Sequence, residues 1–244
     1  MVTDERLAAI RGILFDKDGT LLDYNKSWLP VNRQLAQIAA GGEAALADRL
    51  LLACGMDPVS GHVVPDSLLA AGNTRQIAEG LVAAGSTLDI DDLTLQLDDL
   101  FSGAAQFAVP VTDLGAFFGR LKARGYRLGV ASSDNQTSIR ETARHFGFLD
   151  CLDFIAGYDS GFGVKPEPGM VLGFCEATGL SPGEVAMVGD NNHDLHMGRN
   201  ASVGLTIGVL TGTGSPESLA AAADYCLDDI TGLEPLLPDV LISR

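Results

Sequence analysis

Basic residues are scarce in this 244-residue chain: 16 Lys and Arg stand against 32 Asp and Glu, giving a formal net charge of −16 at pH 7. That balance argues against nucleic acid or an anionic lipid surface as partner, since both demand positive potential. Cysteine is also sparse. Cys54, Cys151, Cys175 and Cys226 form no Cys-x-x-Cys pair, which disfavours a disulfide framework or a thiolate zinc site and leaves reduced thiols. The longest apolar runs are strand-sized, so no membrane span is expected. The start, Met1-Val2-Thr3-Asp4-Glu5-Arg6, lacks the basic end and apolar core of a secretory leader. A cytoplasmic location is therefore the expectation, as monomer or homodimer. Hydrophobic residues make up 46% of the chain, enough for one large core, or a core with a smaller cap.

Short apolar runs alternate with amphipathic stretches through the second half. Strands are expected at Gly12 to Phe15, Arg127 to Ala131, Phe154 to Ala156, Val185 to Val188, Val203 to Ile207 and Tyr225 to Leu227. Helices are expected at Leu114 to Arg124, Thr137 to Phe146, Pro168 to Thr178, Asp194 to Asn200 and Pro216 to Ala223. Such alternation implies an α/β fold, a Rossmann-like parallel sheet covered by helices on both faces. Residues 25–108 differ. Rich in Ala, Leu and Gln, with helical runs at Gln34 to Ala40, Glu43 to Leu52, Gln76 to Ala84 and Asp91 to Phe107, they read as an inserted all-helical cap domain. The catalytic core would then comprise residues 1–24 and 109–244.

The apolar run Ile13-Leu14-Phe15 delivers Asp16-Lys17-Asp18-Gly19-Thr20. Two carboxylates held one residue apart at the end of a buried strand repel and lose hydration, so folding alone gives no reason for them. Chemistry does: one can attack phosphorus or carbon, while the other donates and then removes a proton. Functional loops of a parallel sheet gather at the carboxyl ends of its strands. Three further loops there carry unusual residues: Ser132-Ser133-Asp134-Asn135, Gly163-Val164-Lys165-Pro166-Glu167-Pro168, and Gly189-Asp190-Asn191-Asn192-His193-Asp194.

With these four loops the chain resembles the haloacid dehalogenase-like superfamily, specifically its phosphatase branch with a helical cap after the first motif. The resemblance covers nearly the whole chain: Asp-x-Asp-Gly-Thr at Asp16 to Thr20, a strand-terminal Ser132, Lys165 in Lys-Pro-x-Pro, and Gly-Asp-x-x-x-Asp from Gly189 to Asp194. It implies that Asp16 is the nucleophile, Asp18 the acid and base, Ser132 a phosphoryl hydrogen-bond donor and Lys165 the neutralising cation, with Thr20 and Ser133 beside them. Crowding Asp16, Asp190 and Asp194 against a phosphate costs roughly 4 kcal/mol per close pair at an effective dielectric of 20, more than one lysine can balance. A divalent cation is required, and all-oxygen ligands favour Mg²⁺. Family analogy makes Asp16 and Asp190 direct ligands, Asp18 a ligand through its backbone carbonyl, and Asp194 a ligand directly or through water.

The implied activity is hydrolysis of a small phosphate monoester, phosphoglycolate-like or a sugar phosphate. The alternatives are a phosphomutase on the same core, a 2-haloacid dehalogenase, which needs neither Asp18 nor the metal cluster, and a non-catalytic phosphate-binding module. Within the cap, Lys26, Trp28, His62, Ser67, Asn73, Thr74 and Arg75 are candidates to face the opening. Lys26 or Arg75 could pair with a substrate carboxylate. Lys17 departs from the apolar residue usual at its position. Strand alternation points it away from the Asp16 and Asp18 side chains, toward a structural salt partner. His193 and His196 are expected at the surface or in packing, since an Mg²⁺ site has little use for imidazole.

Overall fold

The computed structural model describes residues 5–240; Met1 to Asp4, part of the stretch on which the expectation of no secretory leader rests, lie outside the described residues. Six strands form one parallel sheet: β1 (Gly12–Phe15), β2 (Arg127–Ala131), β3 (Phe154–Ala156), β4 (Val185–Gly189), β5 (Leu205–Val209) and β6 (Tyr225–Leu227). They are ordered β3-β2-β1-β4-β5-β6. Phe15 pairs in register with Val130 on one side and Val188 on the other. The chain therefore leaves β1, β2 and β4 at adjacent points along one edge. Strand order reverses between β1 and β4, and the resulting crevice is where such sheets bind ligands. The strand expected at Val203 to Ile207 begins at Leu205, because the Val203 N–H is taken by the Gly198 carbonyl in closing the preceding helix.

The helices run α1 (Glu5–Ala9), α2 (Tyr24–Ala39), α3 (Ala44–Ala53), α4 (Leu68–Ala71), α5 (Thr74–Ala83), α6 (Ile90–Ala104), α7 (Leu114–Ala123), α8 (Gln136–His145), α9 (Gly169–Thr178), α10 (Asn192–Asn200), α11 (Pro216–Leu219) and α12 (Leu233–Leu236). Ile13 and Phe15 of β1 pack with Phe117 and Phe118 of α7 and Ile139 of α8, whereas Leu14 packs with Phe174 of α9 and Met197 of α10. Successive side chains thus enter opposite layers, as strand geometry dictates. Each fully buried aliphatic or aromatic side chain contributes about 1.5–3 kcal/mol, which is why every residue of β1 is sealed from solvent.

Helices α2 to α6 form the insert, with a separate core that includes Leu35, Leu50, Leu81, Leu93 and Leu97. The helix expected from Gln34 begins at Tyr24, capped by Asp23, which accepts from the Lys26 N–H. Pro30 removes one backbone donor inside α2, and burial of Tyr24, Val31, Leu35 and Ala39 on one side of the helix outweighs that loss. The insert's two crossings lie together, since the Asp23 N–H donates to the Val109 carbonyl at 2.9 Å and Leu22 pairs with Pro110. A second tie joins α6 to α8, where Asn135 Nδ2 donates to Asp98 at 3.1 Å and Ser138 Oγ lies 3.2 Å from the Phe101 carbonyl. These contacts hold the insert over the carboxyl ends of β1, β2 and β4.

Candidate active site

Asp16 is the first residue beyond β1, its N–H donating to the Val188 carbonyl at 2.8 Å. The chain then turns, with the Leu21 N–H donating to the Lys17 carbonyl at 2.9 Å. Gly19 makes that turn at φ +87, where a Cβ would fall 2.5 Å from the Asp190 carboxyl carbon. Gly212 approaches from the other side, and its Cβ would lie 1.8 Å from Asp190 Oδ2. Only glycine fits between backbone and carboxylate at these two points. Asp190 is held by the Thr213 N–H at 2.8 Å.

Lys165 projects into this cluster from the loop before α9. Its Nζ stands 2.5 Å from Asp16 Oδ1 and 2.6 Å from Asp194 Oδ1, with all three side chains buried. Asp194 also accepts from the Asn191 N–H at 3.1 Å, closing a capping box on α10; it caps the helix and holds the lysine at once. Asp16, Asp190 and Asp194 each offer a carboxylate oxygen, and these oxygens lie within 4.8 Å of one another. Burial, then Asp194, push the Asp16 carboxyl up to about 6 against the pull of Lys165. Burial, then Asp16 and Asp194, push Asp190 well above the usual carboxylate range. Burial alone would depress Lys165, but Asp16 and Asp194 outweigh it and raise the ammonium. A buried, all-oxygen trio with one lysine between its members fits a hard divalent cation.

A second buried group adjoins the first. Lys17 Nζ lies 2.8 Å from Asp18 Oδ2 and 3.0 Å from Asp134 Oδ2, and Trp28 Nε1 of α2 donates to Asp18 Oδ1 at 2.8 Å. Asp134 is fixed by Ser138 Oγ at 2.5 Å and by accepting the Asn135 N–H at 2.8 Å. Burial raises Asp18 to about 6, with Lys17 opposing and Asp134 and Asp16 adding to the rise. The expectation that Lys17 points away from Asp18 is corrected: strand alternation stops at Phe15, and the tight turn swings the side chain back. Asp18 lies outside the carboxylate trio.

Around both groups is a pocket of about 580 Å³, mouth included, bounded below by Asp16, Asp18, Ser132, Ser133, Lys165, Asp190, Asn191 and Asp194. Ser132 is buried, its Oγ accepting from the Asp134 N–H at 3.1 Å. Ser133 Oγ donates to the Ala71 carbonyl of the insert at 3.3 Å. Several expected residues are elsewhere. Thr20 is buried off the pocket wall, its hydroxyl without a hydrogen-bond partner among the described residues. Asn73 is consumed as the cap of α5, bonded reciprocally with Gln76. Lys26 is 67% exposed and paired with Asp23 at 2.7 Å. Arg75 is half-exposed and paired with Glu79 and Asp91. Solvent screens these pairs, and helix periodicity carries both cations to the outer face. Of the insert's candidates Trp28 and Thr74 do line the pocket, as does His193 of the core. Lys17 as the partner of Asp18, Asp134 as the second acid on Lys17, and Tyr24, Asn32 and Phe101 on the wall lie outside the sequence expectations; only the unusual charge at Lys17 signals the first of these.

Comparison with known proteins agrees with the geometry. A family model for haloacid dehalogenase-like hydrolases matches residues 10–202. The chain is 24% identical over 230 residues to "Phosphoglycolate phosphatase" of Psychrobacter arcticus, covering 88% of this chain and 95% of that one. It is 28% identical over 120 residues to "Pyrophosphatase PpaX" of Bacillus cereus, covering 49% of this chain and 56% of its relative. In fold it is similar to the crystal structure of a predicted phosphoglycolate phosphatase from Haemophilus somnus, with TM-score 0.69, 19% identity, and coverage of 93% of this chain and 98% of that one. No helix among the described residues is long and apolar enough to cross a membrane.

Proposed function

The chain belongs to the haloacid dehalogenase-like hydrolases, and we propose that within that family it is a Mg²⁺-dependent phosphatase of a small phosphate monoester acting through an aspartyl-phosphate. The observation that carries this reading is the bridge of Lys165 between Asp16 and Asp194, with Asp190 in the same oxygen cluster, at the switch point of the sheet. Asp16 attacks phosphorus, and the ester bond to the leaving alkoxide breaks. Asp18, held toward the protonated form by burial, gives its proton to that alkoxide. Freed of its proton, Asp18 then takes one from the water that hydrolyses the aspartyl-phosphate. Ser132 and Ser133 offer hydroxyls to the phosphoryl oxygens, and Lys165 neutralises the nucleophile and the transferring group. Asp16, Asp190 and Asp194, with the Asp18 carbonyl, would hold the cation, which when bound offsets their charge and polarises the phosphoryl group. The insert closes the site from bulk water. A cytoplasmic location and a monomeric or homodimeric state complete the reading.

Replacing the nucleophile tests it. Asp16→Asn should lower kcat on an aryl phosphate by at least about 10³-fold while circular dichroism stays parental. A parental rate in that variant would refute the assignment. A phosphomutase on the same core would instead return isomerised sugar phosphate when primed with a bisphosphate; release of inorganic phosphate alone supports the hydrolase.

A further inference from the structure

We infer that the substrate's leaving group is an uncharged alcohol with an apolar face, and that the site discriminates against monoesters bearing a second anionic group. This rests on the phosphatase reading of the same pocket. The wall that the insert sets opposite the carboxylates is built from Tyr24, Trp28, Leu69, Ala70, Ile77 and Phe101. Its rings are packed together, Trp28 against Phe101 with centroids 5.0 Å apart at 73°, and Tyr24 against Trp28 at 6.3 Å and 21°. Its polar groups are few and uncharged: the Thr74 hydroxyl has no hydrogen-bond partner among the described residues, which suits a neutral hydroxyl of a substrate, and Tyr24 serves the wall itself. Tyr24 Oη donates to the Leu69 carbonyl at 2.5 Å and accepts from Asn32 Nδ2 at 3.5 Å.

No Lys or Arg of the insert reaches this wall among the described residues. Lys26 and Arg75, the cations that could have met a carboxylate, are exposed and paired with acids of the outer face. Below, each of the two buried lysines is already shared between two aspartates. His193, the remaining basic side chain on the wall, stands on the core side near Lys165 and Asp66. With a divalent cation added to the two lysines, Asp16, Asp134, Asp190 and Asp194 are just balanced while Asp18 carries its proton, so the site has no positive charge to spare once the substrate's phosphoryl group enters. A second anion on the substrate would enter an apolar wall with no free cation, and like charge placed against like charge in a desolvated pocket is strongly penalised. An alcohol with a flat apolar surface would instead pack on Trp28 and Phe101.

Two substrate pairs test this on the full chain with Mg²⁺. The first is 2-hydroxyethyl phosphate against phosphoglycolate, which share a two-carbon skeleton and differ in the carboxylate. The second is phenyl phosphate against 4-carboxyphenyl phosphate, where the carboxylated phenol is the better leaving group, so intrinsic reactivity opposes the expected preference. The neutral member should be favoured in kcat/KM by at least about tenfold in each pair, and pyrophosphate should be as poor as the carboxylates. Equal or reversed preference, with turnover still lost in Asp16→Asn, overturns this inference and leaves the phosphatase reading standing. Failure to hydrolyse any of these esters, or retention of the parental rate by Asp16→Asn, overturns the phosphatase reading and this inference with it. Ala70→Lys places a cation at a half-buried wall position and should raise phosphoglycolate relative to 2-hydroxyethyl phosphate by about tenfold. An unchanged ratio in the folded variant counts against the wall as the discriminating surface.

Discussion

Two buried lysines flank the loop after β1, and each bridges two aspartates. Lys165 lies 2.5 and 2.6 Å from Asp16 and Asp194; Lys17 lies 2.8 and 3.0 Å from Asp18 and Asp134. In both, burial alone would lower the ammonium's pKa, and the paired carboxylates more than reverse that. Their surroundings separate them. Lys165 opens onto Asp190 and the pocket, leaving carboxylate oxygens that a cation or phosphoryl group can meet. Lys17 is closed in, with the Trp28 ring 5.6 Å away and Trp28, Ser138 and the Asn135 N–H filling out the hydrogen bonds of Asp18 and Asp134. The same charge arrangement therefore leaves oxygens free for a ligand around Lys165 and closes them off around Lys17, where, on the proposed mechanism, it fixes the proton donor.

The comparison breaks most decisively if both lysines are removed in turn. Lys165→Met should reduce kcat by about 10²–10³-fold, and Mg²⁺ should restore much of its unfolding midpoint by taking over the charge of Asp16 and Asp194. Lys17→Met should lose about 3–5 kcal/mol in urea unfolding, because two buried carboxylates are left without their cation, and Mg²⁺ should restore none of it. Its alkaline limb of kcat/KM should also move to higher pH, since Lys17 holds the Asp18 pKa down. Identical metal rescue of both variants would erase the distinction.

Withholding metal sharpens the contrast next. With carboxyls at about 6 rather than 3.8, Asp16 and Asp18 bind more protons in the native state than in the unfolded state across that window. Metal-free stability should therefore be greatest below about pH 4 and fall as pH rises through about 6. Mg²⁺ should raise Tm more at about pH 7.5 than at about pH 4.5, where protons compete for the same oxygens; differential scanning fluorimetry that finds the reverse would refute the metal cluster. A smaller effect is expected from Trp28→Phe, which keeps the ring and deletes one hydrogen bond to Asp18, worth about 1.5–3 kcal/mol to a charged group; a roughly tenfold loss of kcat is the expected outcome. Smallest of all, Lys26→Ala and Arg75→Ala should change stability by less than about 0.5 kcal/mol and leave KM unaltered, since their partners lie on the solvated face.

Much of the core was legible because its signals are local. The strands at Gly12, Arg127, Phe154, Val185 and Tyr225 begin where apolar runs begin, and Gly19 sits where the turn after Asp16 demands positive φ. Asp16, Lys165, Asp190 and Asp194 converge because each ends or follows a strand on one edge of a parallel sheet. The insert was less legible. Pro30 interrupts the local helical pattern of α2 ahead of Gln34, while the burial that sustains the helix comes chiefly from α3 and α6. Asn73 and Arg75 stand at a helix start, where a polar residue signals a cap as strongly as a ligand.

Sequence by itself determined the order of strands along the chain, the identity of the four loops at their carboxyl ends, and the excess of acid that calls for a cation. Those properties depend on periodicity and on residue type, which are written in neighbouring positions. Tertiary structure alone decided that Lys17 turns back to Asp18, that Asp134 is the second acid on Lys17, and that the wall over the site is aromatic and, among the described residues, without a lysine or arginine. Each of these depends on which faces of distant elements meet, and that is decided by packing across the fold rather than by spacing along it.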